Sequence, residues 1–220
     1  RKANPAAAPI AGRDPVILVA AAGGGIRAAY WTASALATME ERIPAFAPAL
    51  FAVSGVSGGS VGAAGYTAIK RQQLDADPAQ AGTGTLDTVK EALGQDLLSP
   101  VVAGLLFPDL VQRFVPWPFP EADRQRFLEL GFEHALEGDN NPLGRPFMAL
   151  YGGGMDYRLP SLLLNTTVVD SGQRAVFSNI ALDGFTDTVD LLDDAFQTRG
   201  ALLSAAAGAS ARFTYLSPAG

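Results

Sequence analysis

Two serines in the stretch "AVSGVSGGSVGAAG", residues 52–65, have the spacing of an acyl-transfer nucleophile. The pattern Gly-x-Ser-x-Gly occurs there twice, once around Ser57 and once around Ser60. A serine hydroxyl attacks an ester only when a sharp turn exposes it and a base lies beside it. That turn needs small residues two positions before and two positions after the serine. The stretch therefore predicts a serine nucleophile, and the flanking elements must decide between the two candidates.

The element upstream favours Ser57. Leu50 to Val53 is a short apolar run typical of a buried strand, and a small-residue helical pattern follows the serines. Gly55 and Gly59 then occupy the crowded positions of a strand-to-helix elbow. Ser60 would lie about one turn into the helix, on the same face as Ser57. We expect Ser57 to be the nucleophile; the alternative is a Gly/Ser-rich turn that only caps a helix.

A second glycine turn precedes this elbow. The apolar run Val16 to Ala21 stops at Gly23, Gly24 and Gly25, and a helical pattern runs from Ile26 to Arg42. Consecutive glycines at a helix N-terminus present backbone N–H groups that, with the helix dipole, stabilise a negative oxygen. We therefore expect an oxyanion hole formed by these three glycines and by the N–H of Gly58.

The first turn has one rival interpretation. Its glycines also fit the dinucleotide pattern G-x-G-x-x-G/A, which requires an acidic residue about 20 positions on, at the end of the next strand. That strand ends at Val53-Ser54, without a carboxylate, and no phosphate-binding G-x-x-x-x-G-K-[ST] occurs. With no cysteine and one histidine, a thiolate or His-rich metal site is excluded as well. The sequence therefore predicts no cofactor and no metal.

The elements that must position these turns define the fold class. Strand, glycine turn and helix occur twice in succession, which predicts parallel strands with right-handed crossovers. A β-hairpin is predicted around Asp170-Ser171-Gly172, and the segment near the C-terminus is an Ala-rich helix. We expect a linker over residues 1–15 and one α/β domain over residues 16–220, with a mainly parallel central sheet and its site at the carboxyl edge.

Composition and charge limit the classes of partner that the protein is expected to bind. The net charge of −6 argues against nucleic acid and against non-specific attraction to an anionic membrane. No apolar run reaches the roughly 18 residues of a membrane-spanning helix, and no signal peptide is evident at the N-terminus. Because the chain does not begin with Met, we expect it to be a piece of a longer protein, and its sequence does not indicate a compartment.

The paired motifs resemble the patatin-like phospholipase family. That family combines a turn G-G-G-x-R-[GA] with a G-x-S-x-G elbow some thirty residues later, and "SARFTYLSPAG" is similar to the segment before its D-G-[GA] motif. The resemblance, from about Val16 to Gly220, implies a three-layer α/β/α fold and lipid acyl hydrolysis by a Ser/Asp dyad without histidine. Ser57 would be the nucleophile and Arg27 would steady the glycine turn, while Ala28 replaces the usual final glycine.

The resemblance also implies where the base lies. The family's aspartate follows the last helix, whereas the sequence reaches Gly220 without a D-G-G, so we expect the aspartate beyond Gly220 and the domain to be incomplete at that end. Asp183-Gly184 is a possible substitute, but it precedes the Ala-rich helix. We interpret it as a loop turn.

Two other functions remain open at the level of sequence. One is a lipid-binding or regulatory module of the same family without turnover. The other is a His-dependent α/β-hydrolase esterase, in which His134 would act with Asp109 or Asp123. His134 lies mid-chain on a charged helical pattern, whereas that triad places its histidine last, so a surface or helix-packing role is favoured.

Two further segments carry weaker signals. Leu105 to Pro120 is dense in proline and aromatic residues; it is either a lid or lipid-contacting flap, which would touch the membrane surface, or a proline-stiffened loop. Asn165 and Thr166, on the predicted hairpin, are expected to be structural. A lipid ester is the predicted substrate.

Overall fold

The fold is built on one five-stranded sheet. The computed structural model describes residues 15–76, 84–97, 99–104, 114, 124–136, 141–152, 156–192 and 200–212. The strands are β1 (Ile17–Ala21), β2 (Leu50–Val56), β3 (Ser161–Thr167), β4 (Arg174–Ser178) and β5 (Thr188–Asp190), and they lie in that order across the sheet. β1, β2 and β3 are parallel, β4 is antiparallel to β3, and β5 is parallel to β4.

Seven α-helices are found in the described part of the chain. They are α1 (Gly25–Arg42), α2 (Phe46–Ala49), α3 (Gly58–Asp75), α4 (Thr85–Leu93), α5 (Ser99–Gly104), α6 (Arg124–Ala135) and α7 (Leu203–Ser210). Two short 3-10 helices, Pro142–Gly144 and Phe147–Tyr151, precede β3. The α/β class, the mainly parallel sheet and the predicted hairpin are therefore confirmed, and the arrangement is consistent with a three-layer α/β/α fold.

The core lies between the sheet and the helices α1, α3 and α7. Val53 and Leu162 face each other on neighbouring strands and are fully buried with Ile69 of α3 and Leu203 of α7. On the opposite face of β1, Leu18 is 69% exposed. A second helical layer occupies that position in a three-layer fold.

Helices α1 and α3 are joined by a polar contact that is largely shielded from water. The hydroxyl of Tyr66, a residue 1% exposed, donates to Glu40 Oε2 at 2.8 Å, and Lys70 forms an ion pair with the same carboxylate. Burial raises the pKa of Tyr66, and the Glu40 carboxylate raises it further. The phenol therefore stays protonated at neutral pH, and its bond to Glu40 joins the two helices that begin at Gly25 and Gly58.

Candidate active site

Ser57 stands alone between a strand and a helix. β2 ends at Val56 and α3 begins at Gly58, so Ser57 is the single residue of the turn. Its backbone has φ 54° and ψ −126°, and it is the only non-glycine residue with positive φ among those that the structure describes. Such a conformation costs about 1–3 kcal/mol and persists only where its surroundings impose it. The predicted elbow is thus present around Ser57.

The side chain of Ser57 does not cap the helix that follows. Ser57 occupies the N-cap position of α3, yet its hydroxyl accepts no hydrogen bond from the first turn. A serine at this position ordinarily bonds the N–H of the second or third helical residue. Within the described residues the Ser57 hydroxyl has no hydrogen-bond partner, and the residue is half-buried. Helix capping therefore does not explain Ser57.

Ser60 is fully buried and its hydroxyl is already bonded. It lies on the first turn of α3 with 0% exposure, and its Oγ is 2.7 Å from Ser210 Oγ. Ser210 Oγ also lies 2.5 Å from the carbonyl oxygen of Asn165, which can only accept. Since a hydroxyl has one proton, Ser210 donates to Asn165 and Ser60 donates to Ser210. Ser60 thus lies on the first turn of α3, as the sequence predicts, and its proton is used in the bond to Ser210.

The same hydroxyl of Ser210 holds the strained turn. The N–H of Ser57 donates to Ser210 Oγ at 3.0 Å, while the carbonyl of Ser57 accepts from the N–H groups of Ser60 and Val61 at 2.9 and 3.2 Å. Both backbone polar groups of Ser57 are therefore satisfied in the strained conformation. Sequence reasoning did not identify Ser210, because only the folded chain brings the end of α7 beside residue 57.

The glycines around Ser57 are required by close packing. A Cβ on Gly55 would lie 2.6 Å from the Cα of Ser60, and one on Gly58 would lie 2.0 Å from the carbonyl oxygen of Gly25. A Cβ on Gly59 would lie 2.5 Å from the carbonyl oxygen of Ala21. Each distance is far below a normal contact, so no larger residue fits without moving backbone. The turn-supporting roles expected of Gly55 and Gly59 have this steric basis.

The glycine turn lies directly against Ser57. A Cβ on Gly23 would be 3.1 Å from the Cβ and 3.7 Å from the Oγ of Ser57. Gly24 and Gly25 have φ values of 150° and 60°, which only glycine adopts readily, and α1 begins at Gly25. The structure therefore brings the two predicted motifs together, although they are thirty residues apart in sequence.

Two helix N-termini converge at this point. α1 begins at Gly25 and α3 begins at Gly58, and neither helix has an acidic residue in its first turn. Each N-terminus leaves backbone N–H groups without intrahelical acceptors and carries a partial positive charge. This arrangement can stabilise an oxyanion that forms on an ester carbonyl attacked by Ser57.

Asn165 and Thr166 connect this site to β3 and α7. The Asn165 side-chain amide donates to the Gly55 carbonyl at 2.8 Å and to Ser54 Oγ at 3.0 Å. The Thr166 hydroxyl donates to the carbonyl of Ala209 at 2.9 Å, next to Ser210. Both residues are structural, as expected, and these bonds hold the strand-to-helix turn at Ser57 in place.

Some of the remaining residues named from the sequence make no described contact with Ser57. Others fall outside the residues that the structure describes. Arg27 is exposed on the first turn of α1 and, among the described residues, makes no hydrogen bond or ion pair, so its role in steadying the turn stays a prediction. His134 is exposed on α6 and, among the described residues, makes no hydrogen bond or ion pair. Asp109 and Asp123 lie outside the described residues, as does the segment Leu105 to Pro120 except Phe114.

Asp183 belongs to a different part of the sheet. It is exposed in the connection from β4 to β5, beside an open groove of about 900 Å³ that Ser178, Phe185 and Asp190 also line. β3 and β4 separate this connection from β2. The position fits the loop turn that we infer for Asp183-Gly184, and no described residue supplies a carboxylate to the Ser57 hydroxyl.

The described residues contain no cluster of three His, Cys, Asp or Glu side chains that could hold a metal. Within the same part of the chain, no helix combines the length and the apolar character that crossing a membrane requires.

Fold and site together define an α/β protein with a strained serine between two helix N-termini. Comparison with protein-family models finds no match, and comparisons with curated proteins and with solved structures find none either. The patatin-like resemblance therefore rests on the chain's own motifs.

Proposed function

We propose that this chain is a lipid acyl hydrolase of the patatin-like type, with Ser57 as its nucleophile. The observation that carries the proposal is the backbone of Ser57: a strained, non-capping serine held between β2 and α3, in contact with a glycine turn. Strain at a single polar residue is characteristic of functional sites.

In the proposed reaction, the Ser57 hydroxyl attacks the ester carbonyl carbon and its proton passes to an aspartate. The oxyanion accepts hydrogen bonds from the N–H groups of the glycine turn and of Gly58. Collapse of the tetrahedral intermediate breaks the ester C–O bond, and the departing alcohol takes the proton from the aspartate. Water, deprotonated by the same aspartate, then attacks the acyl carbon. The bond from that carbon to Ser57 Oγ breaks, Ser57 recovers its proton from the aspartate, and the fatty acid is released.

The resemblance to the patatin-like family implies that the base is an aspartate. The family pattern places the aspartate after Gly220, beyond the helix α7. The last residue of that helix, Ser210, bonds the Ser57 N–H at 3.0 Å, so the chain that continues from α7 starts beside the nucleophile. This proximity supports an aspartate from that segment over His134, which is exposed on α6.

Serine-directed fluorophosphonate labelling tests the proposal, applied to the longest natural chain that contains this sequence. We expect stoichiometric labelling of the wild type, none of Ser57→Ala, and undiminished labelling of His134→Ala. Hydrolysis of a short-chain phospholipid should be lost with the same Ser57 substitution. Absence of labelling in a folded wild type would instead indicate a lipid-binding module without turnover, and labelling of Ser60 would refute the assignment.

A further inference from the structure

Arg174 presents a guanidinium at the edge of the sheet where Ser57 lies. It is the first residue of β4 and is exposed. Its Nε and Nη2 donate to Asn165 Oδ1 at 3.2 and 2.8 Å. A guanidinium has five N–H donors in a rigid plane, so the three that remain are available to another acceptor. Asn165 thus holds Arg174 in one orientation.

The charge of Arg174 is not neutralised within the described part of the chain. Arg71, Arg126 and Arg158 each form an ion pair with a carboxylate. The acceptor that Arg174 uses is instead a neutral amide, and no described carboxylate pairs with it. An oriented guanidinium without a carboxylate partner is suited to bind an anion from solution, most favourably a phosphate or carboxylate in bidentate geometry.

The strand register places this guanidinium beside the elbow. Val56, which precedes Ser57, is paired with Asn165 in the parallel β2–β3 ladder. Because β4 is antiparallel to β3, its first residue, Arg174, lies at the same edge, opposite Thr167. β2 and β4 are two strand spacings apart, or about 9–10 Å. The Asn165 amide that accepts from Arg174 also donates to the carbonyl of Gly55, so one side chain fixes both groups.

We propose that Arg174 is a specificity-determining residue of this site: its guanidinium binds the phosphate of a glycerophospholipid and so favours that lipid over the neutral glyceride of the same chain length. In a glycerophospholipid the glycerol backbone separates the ester carbonyl from the phosphate, and two strand spacings separate β4 from β2, so an ester at Ser57 and a phosphate at Arg174 can belong to one molecule. This inference rests on the proposed function, since it assigns a specificity-determining residue of the same site.

The test compares a soluble short-chain diacylglycerophosphocholine with the diacylglycerol of the same chain length. In Arg174→Gln we expect the ratio of kcat/KM for the phospholipid to kcat/KM for the glyceride to fall roughly tenfold, the loss expected for one charge-assisted hydrogen bond. Arg42→Gln is the matched control, because Arg42 is an exposed arginine in the last turn of α1, at the far end of that helix from Gly25. It should leave both values unchanged. An unchanged ratio in Arg174→Gln, even with both activities reduced, would overturn the inference and leave Arg174 a structural residue.

A binding measurement separates this inference from the proposed reaction. On the Ser57→Ala background, titration with the same phospholipid should give a Kd roughly tenfold weaker when Arg174→Gln is added. If the wild type hydrolyses neither ester but this difference is found, the phosphate subsite stands and the hydrolase proposal fails. If the two Kd values agree, the subsite is refuted whatever the activity. Inorganic phosphate is the third probe: if it binds as tightly as the phospholipid and depends on Arg174, the group is a free-anion site and not a headgroup subsite.

Discussion

Two glycines of α3 provide a matched test of how α1 and α3 pack. Gly62 and Gly65 lie one turn apart inside the same helix, and both are buried. A Cβ on Gly62 would lie 2.4 Å from the carbonyl oxygen of Ala29 and 2.9 Å from the Cβ of Thr32, both on α1. A Cβ on Gly65 would meet only the side chain of Leu93, at 3.4 Å. The same substitution therefore meets backbone at one site and a flexible side chain at the other.

The expected free energies follow from these contacts. Alanine in place of a helix-interior glycine gains about 1 kcal/mol from helix propensity at either position. At Gly62 this gain is outweighed, because carbon atoms pack at about 3.5 Å or more and the backbone of α1 must move; overpacking of this kind costs about 3 kcal/mol. We therefore expect Gly62→Ala to be about 2 kcal/mol less stable than the wild type, and Gly65→Ala to be equal to it or slightly more stable.

Urea unfolding followed by far-UV circular dichroism measures the difference. With a slope of about 2 kcal/mol per M, the two variants should differ in midpoint by about 1–1.5 M. Because α1 carries Gly25 and α3 carries Gly58, we also expect fluorophosphonate labelling to slow in Gly62→Ala but not in Gly65→Ala. If the two midpoints coincide, α1 and α3 do not approach as closely as the contacts at Gly62 require. The expectation that close packing of these two helices positions the site would then be wrong.

Three further variants test individual contacts. Ser210→Ala removes the acceptor of the elbow N–H, so we expect labelling of the nucleophile to slow roughly tenfold, with Ser210→Thr restoring it; equal rates would contradict a positioning role. Tyr66→Phe should lose about 1 kcal/mol of stability with its bond to Glu40, equally at pH 7 and pH 9, because burial raises the pKa of Tyr66 and the phenol stays protonated; a penalty that vanishes at pH 9 would be inconsistent with this. Asp156→Asn should cost about 1 kcal/mol at pH 7, since Arg158 lowers the pKa of Asp156. The cost should begin to fall below about pH 4, the ordinary pKa of an aspartate, and should vanish only at the lower pH at which acid protonates the folded wild-type carboxyl; a cost that does not fall with pH in this range would exclude the ion pair as its cause.

Local sequence patterns predicted the elements of the candidate site. Two apolar runs, one before Gly23 and one before Gly55, each form a strand of the parallel sheet. Short apolar runs that contain β-branched residues and stop at glycines are typical of buried strands. β2 extends to Val56, three residues beyond the predicted end, and this places Ser57 directly after the last strand residue. The choice of Ser57 over Ser60 as the elbow residue depended only on that local order.

Contacts between residues distant in sequence were decided by the tertiary structure. The bond from the Ser57 N–H to Ser210 and the bond from Arg174 to Asn165 carry no sequence pattern, because each depends on strand register or on where α7 ends. Close approach of α1 to α3 likewise makes Gly62, but not Gly65, sterically essential. The sequence by itself determined which serine follows a strand and that glycines surround it, since these are properties of neighbouring residues. Only the folded chain decided what holds that serine in its strained backbone and which charged group lies nearby, since these depend on segments up to 153 residues apart.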